Sequence, residues 1–168
     1  MYKKYYVKCS APPILKYIGF TDNETILYKG EGSLSLVAYY PYALSTMDVK
    51  INGGTELSLV NNGDLEAPMK IYYDLNNLIG QELTLQLNED ENRVINMGVI
   101  QKIKDNDVYI CIDTRTHLIE GLDENYNKTN ALYNRFITSG DFFLLPIGQN
   151  TFTSIIPCEK IEYNYLYY

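Results

Sequence analysis

Glu82-Leu83-Thr84-Leu85-Gln86-Leu87 alternates polar and apolar residues without a break. A strand turns successive side chains to opposite faces, so this stretch buries three leucines on one side and leaves Glu82, Thr84 and Gln86 on the other. The same period recurs along the chain. Leu34, Leu36 and Ala38 alternate with Ser33, Ser35 and Val37, and Ile161, Tyr163, Tyr165 and Tyr167 share one face of a last strand. Val108-Tyr109-Ile110-Cys111-Ile112 is rich in β-branched and aromatic residues, the composition of a further strand. Between these runs stand Asn52-Gly53-Gly54, Asn61-Asn62-Gly63-Asp64, Asp105-Asn106-Asp107, Glu120-Gly121 and Pro146-Ile147-Gly148. Asn, Asp and Gly suit turns because they accept a positive φ or hydrogen-bond their own backbone. Helical signal is confined to single turns over Asp74–Ile79, after an Asp cap, and Asn130–Phe136. Strands separated by turns at such short intervals predict an all-β, antiparallel sandwich or barrel.

Charge and composition narrow the function classes. The 168 residues carry 14 Lys and Arg against 21 Asp and Glu, a net charge of −7. That balance lacks the positive footprint needed to bind a phosphate backbone, so no nucleic-acid partner is expected. No apolar run approaches the roughly 20 residues of a membrane-spanning helix. Met1-Tyr2-Lys3-Lys4-Tyr5-Tyr6 has a charged start without the apolar stretch of a signal peptide, so Asn23-Glu24-Thr25 and Asn127-Lys128-Thr129 read as chance glycosylation sequons. Cys9, Cys111 and Cys158 are odd in number and far apart, which fits buried single thiols rather than a disulfide framework or a metal pair.

Candidate chemistry is sparse. Asp113-Thr114-Arg115-Thr116-His117 would place Asp113, Arg115 and the only histidine on one face of a continuous strand, an acid–base arrangement. Thr114-Arg115-Thr116 reads better as the tip of a hairpin between Val108–Asp113 and His117–Leu122, which leaves His117 exposed. Glu89-Asp90-Glu91 has the look of a solvated hairpin loop. Asp105-Asn106-Asp107 opens like a calcium loop, but Ile110 and Thr116 stand where that pattern needs Gly and Glu, and a turn is expected instead. Nothing selects a glycosidase pair from the 21 acids. No phosphate-binding, nucleophile-elbow or zinc-protease motif is present. The expectation is a non-enzymatic protein with no cofactor and no metal.

Tyrosine is the unusual residue: there are 17, with no tryptophan. It couples a large apolar ring to a polar tip and suits contacts that are partly wet. Tyr39, Tyr40 and Tyr42 cluster near residue 43, and Tyr163, Tyr165, Tyr167 and Tyr168 at the C-terminus. They serve either an interface, with protein or with a sugar ring, or as general filler of core and surface. A boundary falls at the same place. Residues 1–43 are too few for an independent core, and 44–168 form a self-contained series of strands.

Four segments in order resemble the distal tail proteins of siphophages. Tyr28-Lys29-Gly30-Glu31-Gly32-Ser33 through Tyr39-Tyr40-Pro41-Tyr42-Ala43 is similar to the end of that family's N-terminal belt domain and its linker. Asn61-Asn62-Gly63-Asp64-Leu65-Glu66-Ala67-Pro68-Met69-Lys70-Ile71 resembles the turn that opens its C-terminal sandwich. The Val108–Asp113 hairpin with its Thr114-Arg115-Thr116 tip is the third segment, and Gly140-Asp141-Phe142-Phe143 through Gly148-Gln149-Asn150 is the fourth.

The resemblance implies a galectin-like or carbohydrate-module-like β-sandwich over 44–168. Residues 1–43 would be the end or remnant of a belt domain with its linker. It further implies a homo-oligomer, commonly a hexameric ring, that joins the tail tube to baseplate, fibre or receptor-binding proteins. Such a part resides in the virion tail after assembly in the bacterial cytoplasm. With a belt this short, the chain is expected to be either a piece of a longer product or a variant that docks on another ring. Tyr39, Tyr40, Tyr42, Tyr163, Tyr165 and Tyr167 are the expected interface. The alternative is a carbohydrate-binding module for host cell-surface glycan, in which tyrosines on an open sheet stack on sugar rings and Asn and Asp bind the hydroxyls.

Overall fold

The computed structural model describes residues 49–167 throughout. Before them it describes the strands β1 (Lys3–Lys4), β2 (Val7–Cys9), β3 (Ile14–Asp22), β4 (Thr25–Ser33), β5 (Leu36–Ala38) and β6 (Ala43–Ser45). Then follow β7 (Val49–Asn52), β8 (Glu56–Asn61) and β9 (Met69–Asp74), the one-turn helix α1 (Leu75–Leu78), β10 (Leu83–Leu87) and β11 (Val94–Met97). The chain continues through β12 (Tyr109–Asp113), β13 (Leu118–Leu122), β14 (Lys128–Leu132) and a 3₁₀ turn at Asn134–Phe136. It closes with β15 (Ile137–Gly140), β16 (Gly148–Ser154), β17 (Lys160–Tyr163) and β18 (Leu166–Tyr167).

Two sheets face each other. One runs β15-β11-β10-β16-β8 and the other β14-β13-β12-β9-β17-β7, with every ladder between them antiparallel. The fold is an antiparallel β-sandwich, one of the two architectures that the period-two pattern allows. Leu83, Leu85 and Leu87 are fully buried, while Thr84 and Gln86 between them lie on the outer face. From the opposing sheet Ile71, Tyr73, Ile110, Ile112, Ile119 and Ile161 meet them in a single core. Each such buried side chain contributes about 1.5–3 kcal/mol. Two hydroxyls tie the layers: Tyr73 Oη lies 2.9 Å from Ser154 Oγ, and the Tyr163 hydroxyl donates to the Val60 carbonyl at 3.0 Å.

Local signals behave as their chemistry dictates. Asp74 caps α1, its carboxylate accepting the Asn76 N–H at 2.9 Å, and the turn buries Leu75 and Leu78 before ending at Gly80, whose φ is +77°. Asn88 and Glu89, both with positive φ, close the β10–β11 hairpin. Thr114–His117 is the tip between β12 and β13.

Two expectations are corrected. Asn130–Phe136 is not one helical turn: Asn130–Leu132 lie in β14, held by pairing with β13, and only Asn134–Phe136 form a 3₁₀ turn. Ile161 to Tyr167 is not a single strand: β17 lies in the six-stranded sheet, whereas β18 pairs with β6 in a three-stranded sheet of order β1-β6-β18. The chain is drawn aside by distant backbone. The Leu166 carbonyl accepts the Asp64 N–H at 2.7 Å, and the Tyr165 carbonyl accepts the Ser45 N–H at 2.9 Å. Two ribbons complete the described residues, β2 with β5 and β3 with β4. The second is paired over nine residues on each side, from Ile14↔Ser33 to Asp22↔Thr25.

Candidate functional site

The turn after β8 is built around Asn61, whose side chain is buried. Its Nδ2 donates to the Leu65 carbonyl at 2.9 Å and the Leu145 carbonyl at 3.0 Å, and its Oδ1 accepts the Gly63 N–H at 3.0 Å. Gly63 is required by close approach: a Cβ there would stand 2.5 Å from the Leu166 oxygen and 2.9 Å from its nitrogen. Ala67 and Leu145 exchange both backbone hydrogen bonds, at 2.9 and 2.8 Å. One turn thus grips two remote places in the chain, Leu145 and β18.

The hairpin tip joins the same place. Thr114 is buried; its hydroxyl accepts the Met69 N–H at 2.8 Å, and its own N–H donates to the Met69 carbonyl at 3.0 Å. Further along, Asn150 fixes its own turn by donating to the Pro146 and Gly148 carbonyls at 2.9 and 3.0 Å. Its Oδ1 accepts from Asn88 Nδ2 at 2.8 Å. Ala43, at the end of the first of the four segments singled out in the sequence, pairs with Tyr167 of β18. Parts of the second, third and fourth segments therefore meet at one end of the sandwich, and Ala43 of the first joins them through Tyr167. Their amides and hydroxyls serve as clamps on backbone.

The tyrosines expected at an interface fall into two groups. Tyr39, Tyr40 and Tyr42 lie outside the described residues. Tyr163, Tyr165 and Tyr167 form a ladder of edge contacts, with ring centroids 6.0 and 6.5 Å apart. Tyr163 and Tyr167 are buried in the chain's own fold, and Tyr165 is half-buried. Burial pushes the Tyr163 phenol above its ordinary range. Asn62 Nδ2 donates to the Tyr165 hydroxyl at 3.5 Å, which ties the ladder to the Asn61 turn.

Beside the junction lies a cleft of about 450 Å³ whose lining includes Lys70, Asp113, Arg115, His117 and Glu162. The acid–base arrangement of Asp113 with His117 is not what forms there. Asp113 accepts the Arg115 and Thr116 N–H groups at 2.9 and 3.3 Å, closing the tip. His117 sits at φ +57° and stacks on Phe142, with ring centroids 5.1 Å apart. Likewise Asp107, in the run that opens like a calcium loop, is turned inward and almost fully buried. Its carboxylate accepts from the Tyr133 hydroxyl at 2.6 Å, from the Lys104 N–H at 2.9 Å and from the Thr129 hydroxyl. Among the described residues no three His, Cys, Asp or Glu side chains are grouped to hold a metal ion.

A second cluster escaped the sequence reading. On the outer face of the six-stranded sheet, Tyr72, Cys111 and Leu122 form a small apolar island with Tyr109 packed against it. Tyr126 stacks on Tyr109 at 4.5 Å and meets Tyr72 edge-on at 5.9 Å. Its φ is +62°, a conformation held by the Asp123 carboxylate, which accepts the Asn125 and Asn127 N–H groups at 2.8 and 2.9 Å. The Lys160 ammonium lies 4.3 Å from both the Tyr72 and the Tyr126 ring centres, taking ring surface on which a sugar would stack. Glu162 accepts from Lys160 and from the Tyr72 hydroxyl at 3.1 Å each, with Lys50 at 3.3 Å. Partial burial raises the Glu162 carboxyl, but these donors outweigh it and hold the group below the usual carboxylate range. Burial pushes the Cys111 thiol up to about 12. The signal for this island was the pair Tyr72 and Tyr109 on neighbouring strands, and their adjacency depends on the β9–β12 register.

No protein-family model matches this chain, and no curated protein sequence matches it. Among solved structures the chain is similar to the distal tail protein Dit of phage SPP1, described as a paradigm of the hub adsorption apparatus in phages infecting Gram-positive bacteria. The likeness is distant, with 9% sequence identity and a TM-score of 0.44 over 99% of this chain and 94% of that one.

Proposed function

We propose that this chain is a structural component of a phage tail tip or baseplate, or of a related tail-like particle. The sandwich would be mounted on the N-terminal segment, and the assembly would join the tail tube to baseplate or receptor-binding proteins. One observation carries the reading. Three of the segments that resemble distal tail proteins lie far apart in the chain, yet parts of them meet at one end of the sandwich, and Ala43 of the first joins them through Tyr167. There the Gly63–Leu65 turn holds the C-terminal strand, which pairs with β6, while Leu145 and Thr114 hold Ala67 and Met69 beside it. Those contacts hold the chain's own remote segments together, which suits a sandwich mounted by one end.

A second feature supports association. The β3–β4 ribbon pairs with no further strand among the described residues. A lone two-stranded ribbon is marginal in water, and its open edges are templates for another chain. The test is the solution mass by light scattering over a range of concentrations, with wild type beside a Tyr40→Ser, Tyr42→Ser double variant. A closed oligomer, six chains most tellingly, that weakens in the variant is the expected result. A monomer at every concentration would overturn ring formation by this chain, and saturable glycan binding by the isolated monomer would then replace the structural reading.

A further inference from the structure

We infer that the C-terminal segment Asn164–Tyr167 is a latch that holds β6, and β1 paired with it, against the sandwich and can release without unfolding it. The inference goes beyond the proposed function and stands on the chain's own geometry. The sandwich ladders end at Tyr163, where β17 closes its pairing with β7 and β9. Leu166 and Tyr167 are buried, yet neither belongs to the core cluster between the two large sheets, against whose rim only the half-buried Tyr165 of this segment packs. What they hold lies elsewhere. Leu166 pairs with Leu44, and Tyr167 with Ala43. The Tyr165 carbonyl accepts the Ser45 N–H at 2.9 Å, and the Tyr165 N–H donates to Ser45 Oγ at 3.3 Å.

The opposite side of the same strand is fastened to the sandwich. The Asp64 N–H donates to the Leu166 carbonyl at 2.7 Å, Leu65 bridges to Leu166, and Gly63 lies flat against the Leu166 backbone. A four-residue segment therefore stands between two bodies and bonds to both. Without β18, β6 keeps only β1 in this sheet, a pairing of two residues with two. So short a two-stranded sheet does not persist in water. Latch and N-terminal sheet should come apart together, as one cooperative unit of lower stability than the core.

The experiment is hydrogen exchange on the full chain and two variants. One lacks residues 165–168. The other, Gly63→Ala, keeps the segment but places a methyl 2.5 Å from the Leu166 oxygen. Protection of the Ser45 amide should fall roughly ten- to a hundredfold in both, while the amides of Ile95 and Ile112 keep their wild-type protection. Unchanged protection at Ser45 in both variants would overturn the inference. So would a parallel loss at Ile95 and Ile112, which would make the segment part of the sandwich core. If the truncated chain fails to fold while Gly63→Ala behaves as wild type, the latch is likewise refuted.

Discussion

Asn61→Asp changes one atom's chemistry at constant shape, and its consequences follow from the three contacts of that side chain. Nδ2 donates to two carbonyls, Leu65 at 2.9 Å and Leu145 at 3.0 Å, and Oδ1 accepts the Gly63 N–H. In Asn61→Ala all three bonds vanish and a cavity of a few atoms remains. With about 0.5–1.5 kcal/mol net for each bond, a loss of about 2–4 kcal/mol is expected. In Asn61→Asp the Gly63 bond survives, but an acceptor now faces two carbonyl oxygens at about 3 Å in a buried site. An ionised carboxylate there is desolvated and repelled, so its folded pKa is raised above the unfolded value.

The sign follows from linkage. A carboxyl with a raised folded pKa is least harmful below its unfolded pKa, near 4, and costs most as pH rises toward neutrality. Asn61→Asp should thus be the worse variant at pH 7, by at least about 1 kcal/mol relative to Asn61→Ala, and should recover toward it near pH 4, where the protonated group again donates to one carbonyl. Equilibrium urea unfolding of the three proteins at both pH values measures this. With domain stabilities of about 5–15 kcal/mol, the expected losses are large enough to read as shifted midpoints. An Asn61→Asp variant within about 0.5 kcal/mol of wild type at pH 7, or one with no pH dependence relative to Asn61→Ala, would refute the donor assignment and the clamp built on it.

Two further outcomes test the rest of the fold. A Cβ at Gly121 would meet Asp107 Oδ1 and Thr129 Oγ1 at 2.7 Å each, so Gly121→Ala should cost about 1–3 kcal/mol in urea unfolding, and a cost under about 0.5 kcal/mol would show that the buried Asp107 network yields freely. Burial holds Cys111 at about 12 against an ordinary 9.0 and lifts the phenols of Tyr72, Tyr73 and Tyr133 above their ordinary 10.0. Raised folded values mean that stability is whole below pH 9 and falls as pH climbs toward them, by about 1.4 kcal/mol per pH unit for each group ionised in the unfolded chain. Unfolding midpoints that stay level from pH 8 to 11 would contradict this burial.

Local chemistry explains what could be read without coordinates. The alternation at Leu83–Leu87 meant a half-buried strand because side-chain direction in a strand has a fixed period, whatever lies opposite. Asp74 announced a helical turn because a cap acts on its own next residues, and Thr114-Arg115-Thr116 announced a hairpin tip for the same reason. The break after Tyr163 could not be read that way. Alternation continues through Tyr165 and Tyr167 across it, and the groups that redirect the chain, Asp64 and Ser45, stand about a hundred residues away in sequence.

The sites divide along the same line. Turn residues at Asn61–Asp64 and Pro146–Gly148 were visible as turns, but a turn motif does not say which remote carbonyls its amides will reach. Tyr126 was one residue in a polar loop until the Asp123 carboxylate fixed a positive φ and the β9–β12 register set Tyr72 beside Tyr109. By itself the sequence determined an all-β chain with its core leucines, its turns and a tyrosine-rich C-terminus, because each of these depends on neighbours a few residues apart. Only the tertiary structure decided that Asn61, Thr114 and Leu145 meet at one end, that β18 leaves the sandwich for β6, and that Lys160 seats itself over two tyrosines. Those outcomes rest on pairing between strands far apart in the chain, where one residue's partner is set by the register of every ladder between them.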